Sequence, residues 1–195
     1  METSGVIVVA ELDRAVADLA AGRLACPRCS ARLRRWGTGR RRTVRGPGGR
    51  PVMLHPARAR CRSCRTTHVL LPAWCVPRRA DAVEVIGAAL VAAAEGVGYR
   101  RIAAGCGRPA STVRGWLHRA AQRAEPLRQA ATGAAYQLDP SLGAIEPRTS
   151  PLGDAVEALG HYVGAYTRRF GRGVSAWQLI CWFTAGRLLA PAPSG

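Results

Sequence analysis

The sequence predicts an α+β chain: a small four-cysteine β module, then a mostly α-helical region, then a C-terminal helical hairpin. Three observations carry this reading. Two CxxC pairs, Cys26-Pro-Arg-Cys29 and Cys61-Arg-Ser-Cys64, enclose short β-prone runs punctuated by glycine and proline. From Asp81 onward, apolar residues recur at helical spacing instead of alternating. Sixteen of the 29 arginines lie in residues 23–79, which contain no Asp or Glu, so the net charge of +17 is concentrated on the cysteine module.

Taken in order, residues 1–23 form a leader. Residues 5–9 (Gly-Val-Ile-Val-Val) suit a short strand, and Leu12, Val16, Leu19 and Leu24 follow at roughly helical spacing. The cysteine module spans 24–77. Residues 32–36, 41–45, 51–55, 57–60 and 67–71 read as extended segments, with Gly46-Pro47-Gly48-Gly49 as a turn. The insert between the cysteine pairs is expected to be a three- or four-stranded ribbon that presents arginines.

In residues 80–125, Val83, Ile86, Leu90 and Ala94 mark one helix face ended by Gly96 and Gly98. A second helix covers 99–105. A third, over 110–121, starts at Pro109-Ala110-Ser111 and buries Val113, Trp116 and Leu117. After Glu125-Pro126, residues 126–150 read as a linker. Helices over 152–169 and 174–189 then form the hairpin of 151–190, joined by Gly171-Arg172-Gly173, with Asp154 and Glu157 favoured near a helix start by the macrodipole.

A chain this basic, with all its basic side chains arginine and none lysine, favours a polyanionic partner. Its seven cysteines are an odd number, and no apolar run approaches the ~20 residues of a membrane span. These features point to a cytoplasmic protein with no membrane association.

In a CxxC knuckle both sulfurs converge on one side, so two knuckles can close a tetrahedral site. Cys26, Cys29, Cys61 and Cys64 are therefore the expected ligands of a structural Zn(II). A redox CxxC needs only one pair and a βαβ setting. His55 and His68 flank the second knuckle, but four cysteines already complete the ligand set. Cys75, Cys106 and Cys181 have apolar neighbours and read as small buried hydrophobes.

Residues 99–117 fit a helix-turn-helix, with Ile102, Ala103, Cys106, Val113 and Trp116 as its small core and Gly107 at the turn. The third helix then faces outward through Ala110, Ser111, Arg114, Gly115 and His118, with Arg119 beside them. Arg114 suits a guanine edge or a phosphate, and Ser111, His118 and Arg119 lie close to it. Arg100, Arg101 and Arg108 suit the phosphate backbone, as do Arg34, Arg35, Arg40, Arg41, Arg42 and Arg45 of the ribbon.

The CPxC knuckle, the arginine-rich hairpin with its Gly-Pro-Gly-Gly turn, the second knuckle followed by Thr67-His68-Val69-Leu70-Leu71-Pro72, and the helix-turn-helix together resemble the N-terminal region of DDE-type insertion-sequence transposases. They also resemble small actinobacterial proteins in which a zinc ribbon precedes a helix-turn-helix. The resemblance covers about residues 24–125. It implies zinc on Cys26, Cys29, Cys61 and Cys64, and DNA on both modules.

Such transposases continue into an RNase H-like catalytic domain, for which residues 126–195 are too short. Asp139, Glu146, Asp154 and Glu157 lack the alternating strands and helices that site requires. The expectation is a non-enzymatic, sequence-specific binder of double-stranded DNA, either a transcriptional regulator or a transposase-derived protein. The alternatives are a DNA-end-binding subunit that needs a separate transposase catalytic partner, and an RNA-binding zinc ribbon. Trp177, Trp182 and Phe183 suit a homodimer surface or a small core.

Overall fold

The structure is a computed structural model and describes residues 4–171 and 173–190; Arg172 of the expected hairpin turn lies outside them. Strand β1 (Ser4–Val9) leads into helix α1 (Leu12–Ala20), and five strands follow: β2 (Leu33–Thr38), β3 (Arg42–Arg45), β4 (Pro51–Leu54), β5 (Ala57–Cys61) and β6 (Thr67–Pro72). Six further helices follow among the described residues, α2 (Val83–Ala94), α3 (Tyr99–Cys106), α4 (Ala110–Gln122), α5 (Ala124–Leu138), α6 (Pro151–Phe170) and α7 (Ala176–Phe183), before a 3-10 turn at Arg187–Leu189, which makes an α+β chain.

The insert between the cysteine pairs divides. β2 and β5 join a four-stranded sheet in the order β1-β6-β5-β2, whereas β3 and β4 form a separate hairpin. The leader strand β1 pairs in parallel with β6, placing Gly5 opposite His68. Burial explains the division. Leu33, Ala57, Ala59 and Leu70 pack with Leu19 of α1 and Cys26 and Cys61 in a small core. Val44 and Leu54 of the hairpin instead enter the larger helical core. One stretch of sequence thus serves two cores.

The hairpin is fastened to the helical side in two ways. Its backbone continues into the approach to α2, where Arg45 N–H donates to Ala80 O at 2.7 Å and Ala82 N–H donates to Arg45 O at 2.9 Å. Asp81, 2% exposed, then accepts from Arg45 at 2.9 and 3.1 Å and from Arg108 Nε at 2.5 Å. The Arg108 side chain is 5% exposed and that of Arg45 is 43% exposed. A buried carboxylate is tolerable only with such partners.

Helix α2 is the centre of the helical part and contacts α3, α4, α6 and α7. Val83, Val85, Ile86, Gly87, Ala89 and Leu90 are all buried on it, so it is apolar around most of its circumference, beyond the single face expected. Gly87 is required by close approach, because a Cβ there would overlap the Trp177 ring of α7.

The segment 126–150, expected as a linker, contains most of α5. Pro126 falls in the first turn of that helix, where the N–H it lacks would have no intrahelical partner, so it does not break the helix. The main partner of α6 is therefore α5. Buried Ala124, Ala131 and Ala135 on α5 and Ala155 and Ala158 on α6 let the two backbones approach closely. The expected helix over 174–189 ends at Phe183, and Gly186 at φ 74° turns the chain into the 3-10 segment. α6 begins at Ser150-Pro151 as expected, with Ser150 Oγ accepting from Gly153 N–H at 3.1 Å.

Asp81→Ala leaves the Arg108 guanidinium buried without a counter-charge and is expected to cost about 3–5 kcal/mol in urea unfolding, whereas Arg45→Ala, at a half-exposed partner, costs ~1 kcal/mol or less. Gly87→Ala should lower stability by about 1–3 kcal/mol through overpacking against Trp177. Equal losses for the two charge variants would show that burial of the pair is not what matters.

Candidate metal centre and nucleic-acid interface

The Sγ atoms of Cys26, Cys29, Cys61 and Cys64 all lie within 4.8 Å of one another. Cys26 to Cys64 is 3.7 Å and Cys29 to Cys61 is 3.4 Å, far beyond a disulfide bond. A tetrahedral thiolate centre with metal–sulfur bonds of about 2.3 Å has S···S edges of about 3.8 Å. The cluster therefore fits a four-sulfur metal ion, and each knuckle contributes one sulfur to each short pair.

The electrostatics agree with that fit. Donation from the Ala31 amide lowers the Cys29 thiol, and the Thr66 hydroxyl and amide bring Cys64 down to about 6. Burial pushes Cys61 up to about 11. Burial thus disfavours the Cys61 thiolate, and a bound cation would offset that cost.

The surroundings hold the ligands in place. Thr66 Oγ1 lies 3.3 Å from Cys64 Sγ and accepts from Arg28 Nη1 at 3.5 Å. His68, 4% exposed, places Nε2 at 3.4 Å from Cys26 Sγ, while its Nδ1 has no hydrogen-bond partner among the described residues. Burial lowers its pKa and so favours the neutral ring, whose Nε2–H can donate to a thiolate. His68 is thus a neighbour of the cluster outside the four-cysteine set. Gly5 makes room for it, since a Cβ there would lie 2.7 Å from His68 Nδ1. The sequence placed His68 beside a knuckle, but only the β1–β6 pairing reveals its supporting role. His55 is exposed.

The second candidate site is built by α3 and α4. Gly107 at φ 63°, ψ 40° donates its N–H to Ala103 O and Ala104 O, closing α3 with the left-handed turn expected of glycine. Pro109 then precedes α4. Ile102, Ala103, Val113, Trp116 and Ala120 are buried between the pair and α2. Ala110, Ser111, Arg114 and His118 remain exposed on α4, as do Arg100 and Arg101 on α3. His118 shares a 3.1 Å contact with Gln122. No acidic residue occurs between Glu95 and Glu125.

The remaining arginines divide by environment. Arg108 is committed to Asp81 and also donates to the carbonyls of Cys106 and Gly107 at 3.2 Å, so the phosphate contact expected of it does not fit its place. Arg45 is partly engaged by the same carboxylate. Arg119 donates to Gly115 O at 3.0 Å and lines a groove with Arg78, Arg79 and Arg187. Arg34, Arg35, Arg40 and Arg41 are exposed, and Arg42 is half-buried. Arg34 and Arg60 lie 4.9 and 4.6 Å from the ring centre of Trp36, which is 40% exposed.

Arg108 Nη2 also reaches Gly46 O at 3.5 Å, placing the hairpin turn next to the turn before α4. Three acidic side chains beyond α4 have partners: Asp139 pairs with Arg168 at 2.8 Å, Glu157 pairs with Arg148 at 2.7 Å, and Asp154 accepts from the Arg148 amide. Among the described residues, no helix is long and apolar enough to cross a membrane.

Residues 26–116 match a family described as a domain of unknown function (DUF6431), a span that runs from the first cluster cysteine through the hairpin and the α3–α4 turn to Trp116. No curated protein and no solved structure matches the chain.

Purified protein is expected to carry one metal ion per chain by elemental analysis, and Cys61→Ser should reduce this sharply. Chelation should open residues 26–64 to trypsin while the α2–α6 region stays protected. Unchanged cleavage after the metal is removed would show that the small core holds without it.

Proposed function

We propose that the chain is a site-specific binder of double-stranded DNA without catalytic activity of its own, in which a structural zinc ion organises a four-cysteine ribbon and α3–α4 act as a helix-turn-helix. The observation that carries this is the exposed face of α4. Its N-terminal part offers small residues, Ala110 and Ser111, followed one turn later by Arg114 and then His118. That surface suits entry into a major groove, with Arg114 and Ser111 available to base edges. Arg100 and Arg101 flank it for phosphates.

The docked hairpin supports the same reading. The link from Asp81 to Arg108 and Arg45 brings the Gly46 turn beside the start of α4, so Arg40, Arg41 and Arg42 accompany the reading helix on one body. Arg34 and Arg35 on β2 are exposed as well. These side chains supply affinity and steering, while α4 supplies selectivity. Such a protein acts as a transcriptional regulator or as the DNA-binding part of a transposition system with a separate catalytic subunit. The reading places it in the cytoplasm, with zinc and duplex DNA as its ligands.

One observation favours a second reading. Trp36 is exposed on the sheet beside Arg34 and Arg60, an arrangement on which an unpaired base can stack, and this suits RNA or single strands.

Selection from random duplexes with zinc-loaded protein should enrich a motif. Arg114→Ala should relax it at a cost of about 1–3 kcal/mol, and Arg41→Ala should weaken all duplexes alike with a shallower salt dependence. If no motif emerges and structured RNA outcompetes duplex in a manner lost in Trp36→Ala, the second reading replaces the first.

A further inference from the structure

The arginines converge a second time, away from the exposed face of α4. A groove of about 760 Å³ is lined by Arg78, Arg79, Arg119 and Arg187, with no acidic residue among its lining side chains. The four come from three parts of the chain: the turn after β6, helix α4, and the C-terminal 3-10 turn. Five residues separate Arg119 from Arg114, which puts them about 140° apart around α4, so the groove lies to one side of the exposed face.

Arg79 is the best-fixed member of the group. Its Nη2 donates to Leu189 O at 3.4 Å and its Nη1 to Arg78 O at 3.2 Å, which hold the guanidinium in place. Its Nε is buried and has no hydrogen-bond partner among the described residues. A buried donor of a charged group left without a partner is costly. Burial and the nearby charges of Arg119 and Arg78 hold Arg79 below its ordinary range.

The backbone around the groove is unusual as well. Arg78 at φ 61° and Ala185 at φ 49° are non-glycine residues in the left-handed region, and both line it. Strain of this kind collects where surrounding structure serves a ligand. Of these features, the clustered positive charge without a carboxylate in the lining is the one a bound anion would compensate.

We propose that this groove is an oxyanion pocket that takes a phosphate group, with Arg79 as its fixed donor and Arg78, Arg119 and Arg187 supplying counter-charge. A strand phosphate of a bound nucleic acid and the phosphate of a free small molecule share this chemistry. The pocket stands whether or not α4 reads DNA.

The test uses the full-length, zinc-loaded chain titrated with inorganic phosphate, and with chloride at matched ionic strength, while the Arg79 Nε–Hε resonance is followed by NMR. A saturable shift with phosphate and not with chloride is expected. Affinity should fall about tenfold in Arg79→Gln, as loss of one charge-assisted hydrogen bond implies. It should also fall in Arg187→Ala, whose exposed side chain can be removed without disturbing the fold. Absence of a saturable shift, or phosphate affinity unchanged in both variants, overturns the proposal. A duplex oligonucleotide arm separates the sources. If duplex displaces phosphate and binds Arg187→Ala more weakly, the occupant is a strand phosphate; if Arg187→Ala loses phosphate but keeps duplex, it is a free phosphorylated molecule.

Discussion

Asp81 is the interaction on which the rest of the molecule depends. It is a nearly inaccessible carboxylate in a chain of net charge +17, and it accepts from Arg45 of the hairpin and from Arg108 of the α3–α4 turn. Burying these charges costs desolvation, and the attraction offsets that cost only because the geometry is multidentate. The result is registry. A hairpin that belongs by sequence to the cysteine module is locked to the helical body, with its turn beside the start of α4. Together with the backbone bonds of Arg45 to Ala80 and Ala82 and the burial of Val44 and Leu54, this link fixes the arginines of the hairpin relative to the outward side chains of α4.

The cysteine module rests on a different constraint. Its small core has nine buried residues among those described, and in comparable modules metal binding contributes about 10–16 kcal/mol to folding, so an ion held by the four cysteines would supply much of its stability. The protein part of that centre goes beyond the four sulfurs. Thr66 favours the Cys64 thiolate, His68 faces Cys26, and β1 brings Gly5 over the His68 ring. The first strand of the chain is therefore a support for the cluster, and its parallel pairing with β6 makes it part of the sheet.

The same side chain, arginine, does three kinds of work here. At Arg108 it is a buried partner whose positive charge is neutralised. At Arg34 and Arg60 it lies against the ring of Trp36. At Arg78, Arg79, Arg119 and Arg187 it lines a groove without counter-charge, and that imbalance marks a site for an anion. Environment, in the form of burial and the nearest carboxylate, separates these roles.

The sequence by itself determined what depends on local chemistry. The spacing of Cys26, Cys29, Cys61 and Cys64 announced a four-sulfur cluster, Gly107 announced the left-handed turn before α4, and Ser150-Pro151 announced the start of α6. Each rests on a few neighbouring residues or on a ligand geometry that few arrangements satisfy. Pro126 concealed α5, because a proline in a first turn and one in a linker look alike until the helix end is located. Tertiary structure alone decided which arginines remained available and which core each strand entered. Asp81 lies 36 residues from Arg45 and 27 from Arg108, and the β1–β6 pairing joins the chain's start to the far side of the cysteine module. Contacts across such distances follow from how apolar faces are buried together, which no local pattern in the chain encodes.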